Sequence, residues 1–444
     1  MGLASRFQQL LSAEFLEQAL SEAGVKSNNS VYSPLVVLWL LVAQRLQCGA
    51  SMEAAVLELL QGLPSSFWPR PCKRIRDWRE HGKAPSSHTG AYNQARQALP
   101  RSVVQKSFDH ILEQLLAQVG QPASHTTVAT FLLDGSTMRV PHTPELCSAY
   151  PPSSNQYGEA HWPLLRVVVA HDLHTGLAMR PEWGPMNGEQ AISEQALLER
   201  AIDRLPSRAI VIGDSNFGVF SVAYAATQRQ HPVVLRLTAE RARCLAGEEL
   251  HDGMDRALVW MPTRAERKKH PGFPADACVC GRLQVRKVQP DDGGAAFFLA
   301  LFTTVSTADD AFQAYGQRWN IETDLRTLKS TLGLDQLTCA TPDMVAKEID
   351  LGFVAYNLVR AFIGFASELS GIPPRGYSFT KVRRILEAFA PALANAPDEQ
   401  SRQKIISQIM TCVQQSKLPR RKRKRLSSPR EVWSRGSRYP SRKK

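Results

Sequence analysis

Two acids in this chain stand at the ends of apolar, β-branched runs. TTVATFLL (126–133) leads into Asp134, and RAIVIGD (208–214) closes on Asp214. An acid at the carboxyl end of a buried strand stands on a sheet rim, where α/β proteins build their sites. Each acid alone also reads as the start of a turn, because DGST and GDSNFG are both turn sequences. A third segment sharpens the choice. In AFQAYGQRWNIETDLRTLKSTLGL, the residues Tyr315, Arg318, Glu322 and Lys329 fall within about 60° of one another at ~100° per helical residue. Ile321, Leu325, Leu328 and Leu332 fill the adjacent stripe, which can face a core. One helix would then anchor itself by its apolar stripe and present a carboxylate, two cations and a phenol beside it. A solvated helix face laced with ion pairs has the same pattern.

The elements that must carry these residues follow from texture. Residues 1–61 read as an N-terminal helical region. A helix over 33–47, a turn at Cys48-Gly49-Ala50 and a helix over 51–60 match a DNA-reading helix-turn-helix or an ordinary helical hairpin. Residues 62–89 read as a basic linker or exposed loop, with Lys73, Arg74, Arg76, Trp78 and Arg79 able to grip a nucleic-acid backbone. From 90 to 238 strands and helices alternate: LLRVVVA (164–170) and LAMRP (177–181) form a hairpin, a helix spans 189–205, and HPVVLRLT (231–238) is a further strand. Residues 239–295 read as a β-rich insertion with strands at 257–261 and 282–288 and the loop ERKKH (266–270). Residues 296–340 return to the core with FFLALFTTV (297–305) and one long helix over 308–332. Helices at 342–370, 379–394 and 399–415 make up 341–415, and 416–444 is a basic tail expected to be disordered.

Bulk properties narrow the class. The net charge is +13, but residues 417–444 hold thirteen Lys/Arg and one acid, so residues 1–416 sum to about +1. A basic tail on a balanced body suits a polyanion, or a solvated tail. Eight cysteines are scattered without a C-x-x-C pair, which reads as reduced thiols. Cys278-x-Cys280 has no second pair to complete a zinc site. The N-terminus lacks a secretory apolar core. The most apolar run, 34–43, is half of the roughly 20 residues that a membrane span needs. A soluble, cytoplasmic protein without a membrane role is expected. No G-x-x-x-x-G-K-[ST] loop implies nucleotide use. His171-x-x-His174 with Asp172 reads as a hairpin turn before a metal site. Trp260, near Arg264, Arg267, Lys268 and Lys269, reads as a strand Trp packing a small core before a base-stacking residue.

The motifs together resemble a known family. Y-x2-R-x3-E-x6-K, here Tyr315, Arg318, Glu322 and Lys329, is the YREK signature of DDE-type insertion-sequence transposases of the "family four" branch. DGST around Asp134, with RVPHTPE after it, looks like that family's first-acid motif. GDSNFG around Asp214 is similar to the second, usually written D-R-G-F, with Ser215 and Asn216 in place of Arg-Gly. TGAYNQAR (89–96) resembles a stretch that precedes the catalytic domain in these proteins. The resemblance covers about residues 30–370.

That resemblance implies an α/β protein. Its catalytic core would be RNase H-like (retroviral-integrase-like), with a β-rich insertion, an N-terminal helical domain and C-terminal helices. It implies a cut-and-paste transposase in which Asp134, Asp214 and Glu322 are catalytic and hold two Mg²⁺ ions, with Mn²⁺ as a substitute. Tyr315, Arg318 and Lys329 would bind DNA. The implied partners are inverted terminal repeats and target DNA, engaged by a homodimer in a bacterial, nucleoid-associated setting. Two rival readings are a catalytically silent DNA-binding descendant and a metal-dependent nuclease that cuts without joining.

Overall fold

The computed structural model describes residues 2–26, 29–119, 128–156, 158–290, 294–305 and 308–419. The basic tail from residue 420 onward lies outside the described residues. The strands are β1 (Thr130–Arg139), β2 (Ser154–Asn155), β3 (Gly158–Glu159), β4 (Leu164–Asp172), β5 (Glu182–Pro185), β6 (Ile210–Gly213), β7 (Val233–Leu237), β8 (Asp255–Trp260), β9 (Val279–Val288) and β10 (Phe297–Thr303). β2 and β3 form a separate small hairpin. The other eight make one sheet in the order β5-β4-β1-β6-β7-β10-β9-β8.

The first five strands of that order form the RNase H-like core. β1 pairs antiparallel with β4, β4 antiparallel with β5, and β1, β6 and β7 run parallel. Phe131, Leu132 and Leu133 of β1 are buried in sequence, as are Val211 and Ile212 of β6. Consecutive burial without alternation marks strands covered on both faces, as parallel strands must be. The helices Glu194–Ile202 and Phe220–Gln228 supply the crossovers.

β10, the strand expected at 297–305, and the two strands of the segment 239–295 extend this same sheet. β10 pairs antiparallel with β7, β9 with β10, and β8 with β9. Two stretches differ from the sequence expectation for local reasons. ERKKH belongs to a short helix, Arg264–Lys269, because Thr263 and Glu266 form a reciprocal capping box. The strand expected at 177–181 as the partner of β4 is shortened to an isolated antiparallel bridge, Ala178 opposite His171, with Leu177 and Met179 also bonded to β4, and the regular strand β5 follows it. The Asn357 side chain takes the Ala178 N–H at 2.7 Å and donates to its carbonyl at 2.8 Å, so the edge of this segment turned away from β4 is satisfied by a side chain.

A helical layer backs the sheet. Its centre is the helix Pro342–Ser370, long and apolar enough to cross a membrane but almost wholly buried within the protein. It packs against the helices Pro34–Leu46 and Arg101–Val119. Buried Glu348 ties three segments together by accepting from Arg45 and from the backbone N–H groups of Thr338 and Cys339. Tyr92, from the TGAYNQAR stretch, is fully buried and donates to Gln44 at 2.8 Å. The basic stretch expected as loop contains the helix Lys73–His81, anchored by buried Ile75 and closed by Gly82 in the left-handed region.

Candidate active site

Backbone register brings the two aspartates together. β1 and β6 pair as Thr130↔Ile210, Phe131↔Val211 and Leu132↔Ile212. Two residues further on each strand are Asp134 and Asp214, so the acids emerge side by side where the two strands part. β1 does not stop at Asp134, as its sequence suggests. It runs on to Arg139 because β4 continues to pair with it, Asp134 lying opposite Val169. Asp214 follows the last residue of β6. Its carbonyl accepts from Phe217 and Gly218 N–H at 3.1 and 3.0 Å, and its Oδ1 accepts from Asn216 N–H at 2.9 Å. Fully buried Phe217 pins this turn to the core.

Glu322 arrives from the third segment. The long helix expected over 308–332 is broken into Ala308–Gly316 and Trp319–Arg326 and then widens into a π turn, Thr327–Thr331. Gly316, a weak helix former, sits at the break. Arg318 lies in the break and bridges the acids: its guanidinium donates to Glu322 Oε1 at 2.6 Å and stands 3.8 Å from Asp134 Oδ2. Burial raises the Asp134 carboxyl to about 6. Asp214 and Glu322 push the same way, against the Gly135 N–H and Arg318. Burial opposes the Arg318 charge, but the Glu322 hydrogen bond and the nearby Tyr315, Glu322 and Asp134 outweigh it and hold the group above its usual value.

Asp134, Glu322 and Lys329 line one open cleft with Gly135, Leu325 and Asp335. Lys329 Nζ is 3.4 Å from Asp335 Oδ1 and from Ser136 Oγ, and Asp335 also pairs with Arg139. Tyr315 departs from the expected exposed stripe. Its ring is buried among Arg236, Arg318 and Asp214, and burial raises its pKa. Two of the four YREK residues, Glu322 and Lys329, therefore line the cleft, Arg318 bonds to Glu322, and the tyrosine is buried. Among the described residues, no group of three or more His, Cys, Asp or Glu side chains stands close enough to hold an ion in this arrangement. The Arg318 guanidinium occupies the space between Asp134 and Glu322.

Several residues beside this site were not singled out from sequence. Arg236 on β7 and Asp335 reach it through long-range folding, which no local pattern announces. Trp319, next to Arg318, is 58% exposed, a wide apolar face open to solvent. A large aromatic on a polar helix turn was a signal that could have been read.

Other sequence candidates resolve as structure. His171 is fully buried, with Nδ1 3.3 Å from the Gly176 carbonyl, and burial lowers its pKa to about 4. His174 is exposed, and Asp172 caps Thr175, so the three do not converge. Trp260 is buried against Phe220 and Phe302 and offers no free face. Trp78 packs edge-on against Trp68. Cys278 and Cys280 are exposed free thiols. In the helical hairpin of the N-terminal region, Pro34–Leu46 is buried almost throughout, and the exposed residues of Met52–Gln61 are Glu53, Leu57 and Gln61, with no cation.

The family described as Transposase DDE domain matches residues 129–358 of this chain. The chain is also similar to "Transposase InsG for insertion sequence element IS4" of Escherichia coli (strain K12), at 25% identity over 99% of this chain and 97% of that protein.

Proposed function

The chain belongs to the transposase DDE domain family, and we propose that it cuts DNA at the ends of its own element and joins the freed ends to target DNA. The observation that supports this reading most is the gathering of three acids from distant segments around one region: Asp134 and Asp214 just beyond paired residues of two parallel strands, and Glu322 linked to Asp134 through Arg318.

The donor set fits divalent metal. It is all carboxylate oxygen, which suits Mg²⁺ and Mn²⁺. Asp134, Asp214 and Glu322 would hold two such ions. When bound, these activate the attacking water or hydroxyl and offset charge on the phosphorus. Arg318 is released from the carboxylates and turns to a phosphate oxygen, as its planar fork allows. Lys329, from the floor of the cleft, takes a second phosphate. Tyr315 lies buried near Arg236 and Arg318. Lys73, Arg74 and Arg76, exposed on the helix Lys73–His81, add backbone contacts. A homodimer holding two inverted terminal repeats is the assembly this reaction needs.

A supercoiled plasmid carrying the terminal repeats, incubated with the protein and Mg²⁺ or Mn²⁺, tests the reading. Excised linear element and joined products are expected. No cleavage would indicate a silent DNA-binding descendant, and nicking without joining a plain nuclease.

A further inference from the structure

The second-acid loop carries Ser215 and Asn216 where Arg-Gly is usual, and Asn216 has a defined set of partners. Its backbone N–H donates to Asp214 Oδ1, and its side-chain amide donates to the Glu194 carboxylate. Gln195 Nε2 donates back to the Asn216 carbonyl at 3.1 Å and to its Oδ1 at 3.2 Å. Glu194 is the first residue of the helix Glu194–Ile202, which Ser193 caps. From that position its carboxyl group lies against Gly135. A Cβ placed on Gly135 would stand 2.8 Å from both Glu194 Cδ and Oε1.

Gly135 follows Asp134, as Asn216 stands two residues past Asp214. One carboxylate therefore touches a neighbour of each aspartate. Gly135 is in regular β1, opposite Val168, and has no left-handed backbone. Its missing side chain makes room for Glu194 and serves no turn. An acid at a helix N-terminus has a general electrostatic reason to be there. That reason accounts for neither the contact with Gly135 nor the amide of Asn216.

We propose that Glu194 is a positioning residue that fixes the spacing of Asp134 and Asp214, acting through Gly135 on one side and Asn216 on the other. This rests on the reading of the two aspartates as metal ligands. Groups that orient metal ligands typically change affinity by about 10- to 100-fold when removed.

The test uses the full-length, DNA-free protein and Mn²⁺ binding followed by electron paramagnetic resonance, with thermal unfolding measured alongside. Glu194→Ala deletes the carboxylate. Gly135→Ala leaves it in the chain but pushes it from its seat, since the clash is with the end of a flexible side chain. Each is expected to weaken Mn²⁺ binding by about 10- to 100-fold with little change in Tm. The double variant is expected to be no worse than either single one, because both act on one contact. Glu194→Gln, which still accepts from Asn216, is expected to lose far less than Glu194→Ala.

Additive losses in the double variant, or Glu194→Gln as damaging as Glu194→Ala, would overturn the positioning role. Asp214→Asn separates the two levels of the argument. If it retains Mn²⁺, the metal-ligand reading itself fails. If it loses Mn²⁺ while Gly135→Ala and Glu194→Ala bind normally, the positioning role alone fails.

Discussion

Glu322 and Asp324 lie two residues apart on one helix and meet opposite surroundings. Glu322 faces the cleft, where one guanidinium, Arg318, serves both it and Asp134 beside Asp214. Asp324 points the other way and is fully buried. There it pairs with Arg360 and Arg375, with His171 Nδ1 at 3.6 Å. Arg375 also donates to the Asp172 and Leu173 carbonyls, so this cluster fastens the Glu322 helix to the end of β4. Burial works against the Asp324 charge, yet Arg360 and Arg375 overcome it and hold its pKa below the usual range. On one face a single guanidinium is shared between two acids; on the other, two guanidiniums serve one acid. The saturated cluster is architecture, and the deficient one is where an incoming cation has something to gain.

The largest effect should come from the deficient side. Asp134→Asn or Glu322→Gln should take strand cleavage below detection in the plasmid assay while leaving the unfolding temperature the same or higher, since each removes mutual repulsion. A large loss of stability instead would make these acids structural and erase the contrast. Asp324→Ala should do the reverse. Leaving Arg360 and Arg375 uncompensated should cost about 3–5 kcal/mol in denaturant unfolding. A loss under about 1 kcal/mol would show that the buried cluster does not hold the helix.

A third acid sharpens the rule. Asp350 is as buried as Asp324, but its Oδ2 has no hydrogen-bond partner and burial raises its pKa to about 7. The native state then binds this proton more tightly than the unfolded chain does. Its contribution to stability is full below the ordinary carboxylate range and is lost as pH rises through about 7. Asp350→Asn should flatten that part of the stability–pH curve and stabilise the protein at pH 8. An unchanged slope would mean that the nearby Arg101, Arg180 and Arg204 already compensate it. The smallest effect is expected at Lys329. Lys329→Ala should leave the fold intact, weaken end-DNA binding and lower the salt slope by about 1; an unchanged slope would remove Lys329 from the phosphate contacts.

The sequence carried the site further than the packing around it. Two apolar runs ending in aspartates expose the parallel strands directly, because burial on both faces leaves no other composition available. The spacing of Glu322 and Lys329 survives the broken helix closely enough to reach one cleft, with Arg318 bonded to Glu322. What stayed hidden depends on distant partners. Asn357 satisfies the outer edge of Ala178 from 179 positions away, where local preference offers no partner. Asp324 sits among polar letters with nothing nearby to announce Arg360 and Arg375. Tyr315 looked exposed because helical geometry cannot foresee Arg236 arriving from β7. The strands of the segment 239–295 were legible as strands, but the docking of β9 on β10 is a matter of edges finding each other.

The widened turn Thr327–Thr331 has a further effect. Its backbone closes one residue late, with Leu332 N–H reaching the Thr327 carbonyl at 3.2 Å, so it works as a phase adjuster between Glu322 and Lys329. Shortening it by a single residue would swing the lysine by roughly 100° about the axis, toward the side that Leu328 keeps dry. Every functional letter would still be present, yet the amine would no longer overlook the carboxylates. Chain length at this one turn therefore sets where the lysine stands as much as its own identity does.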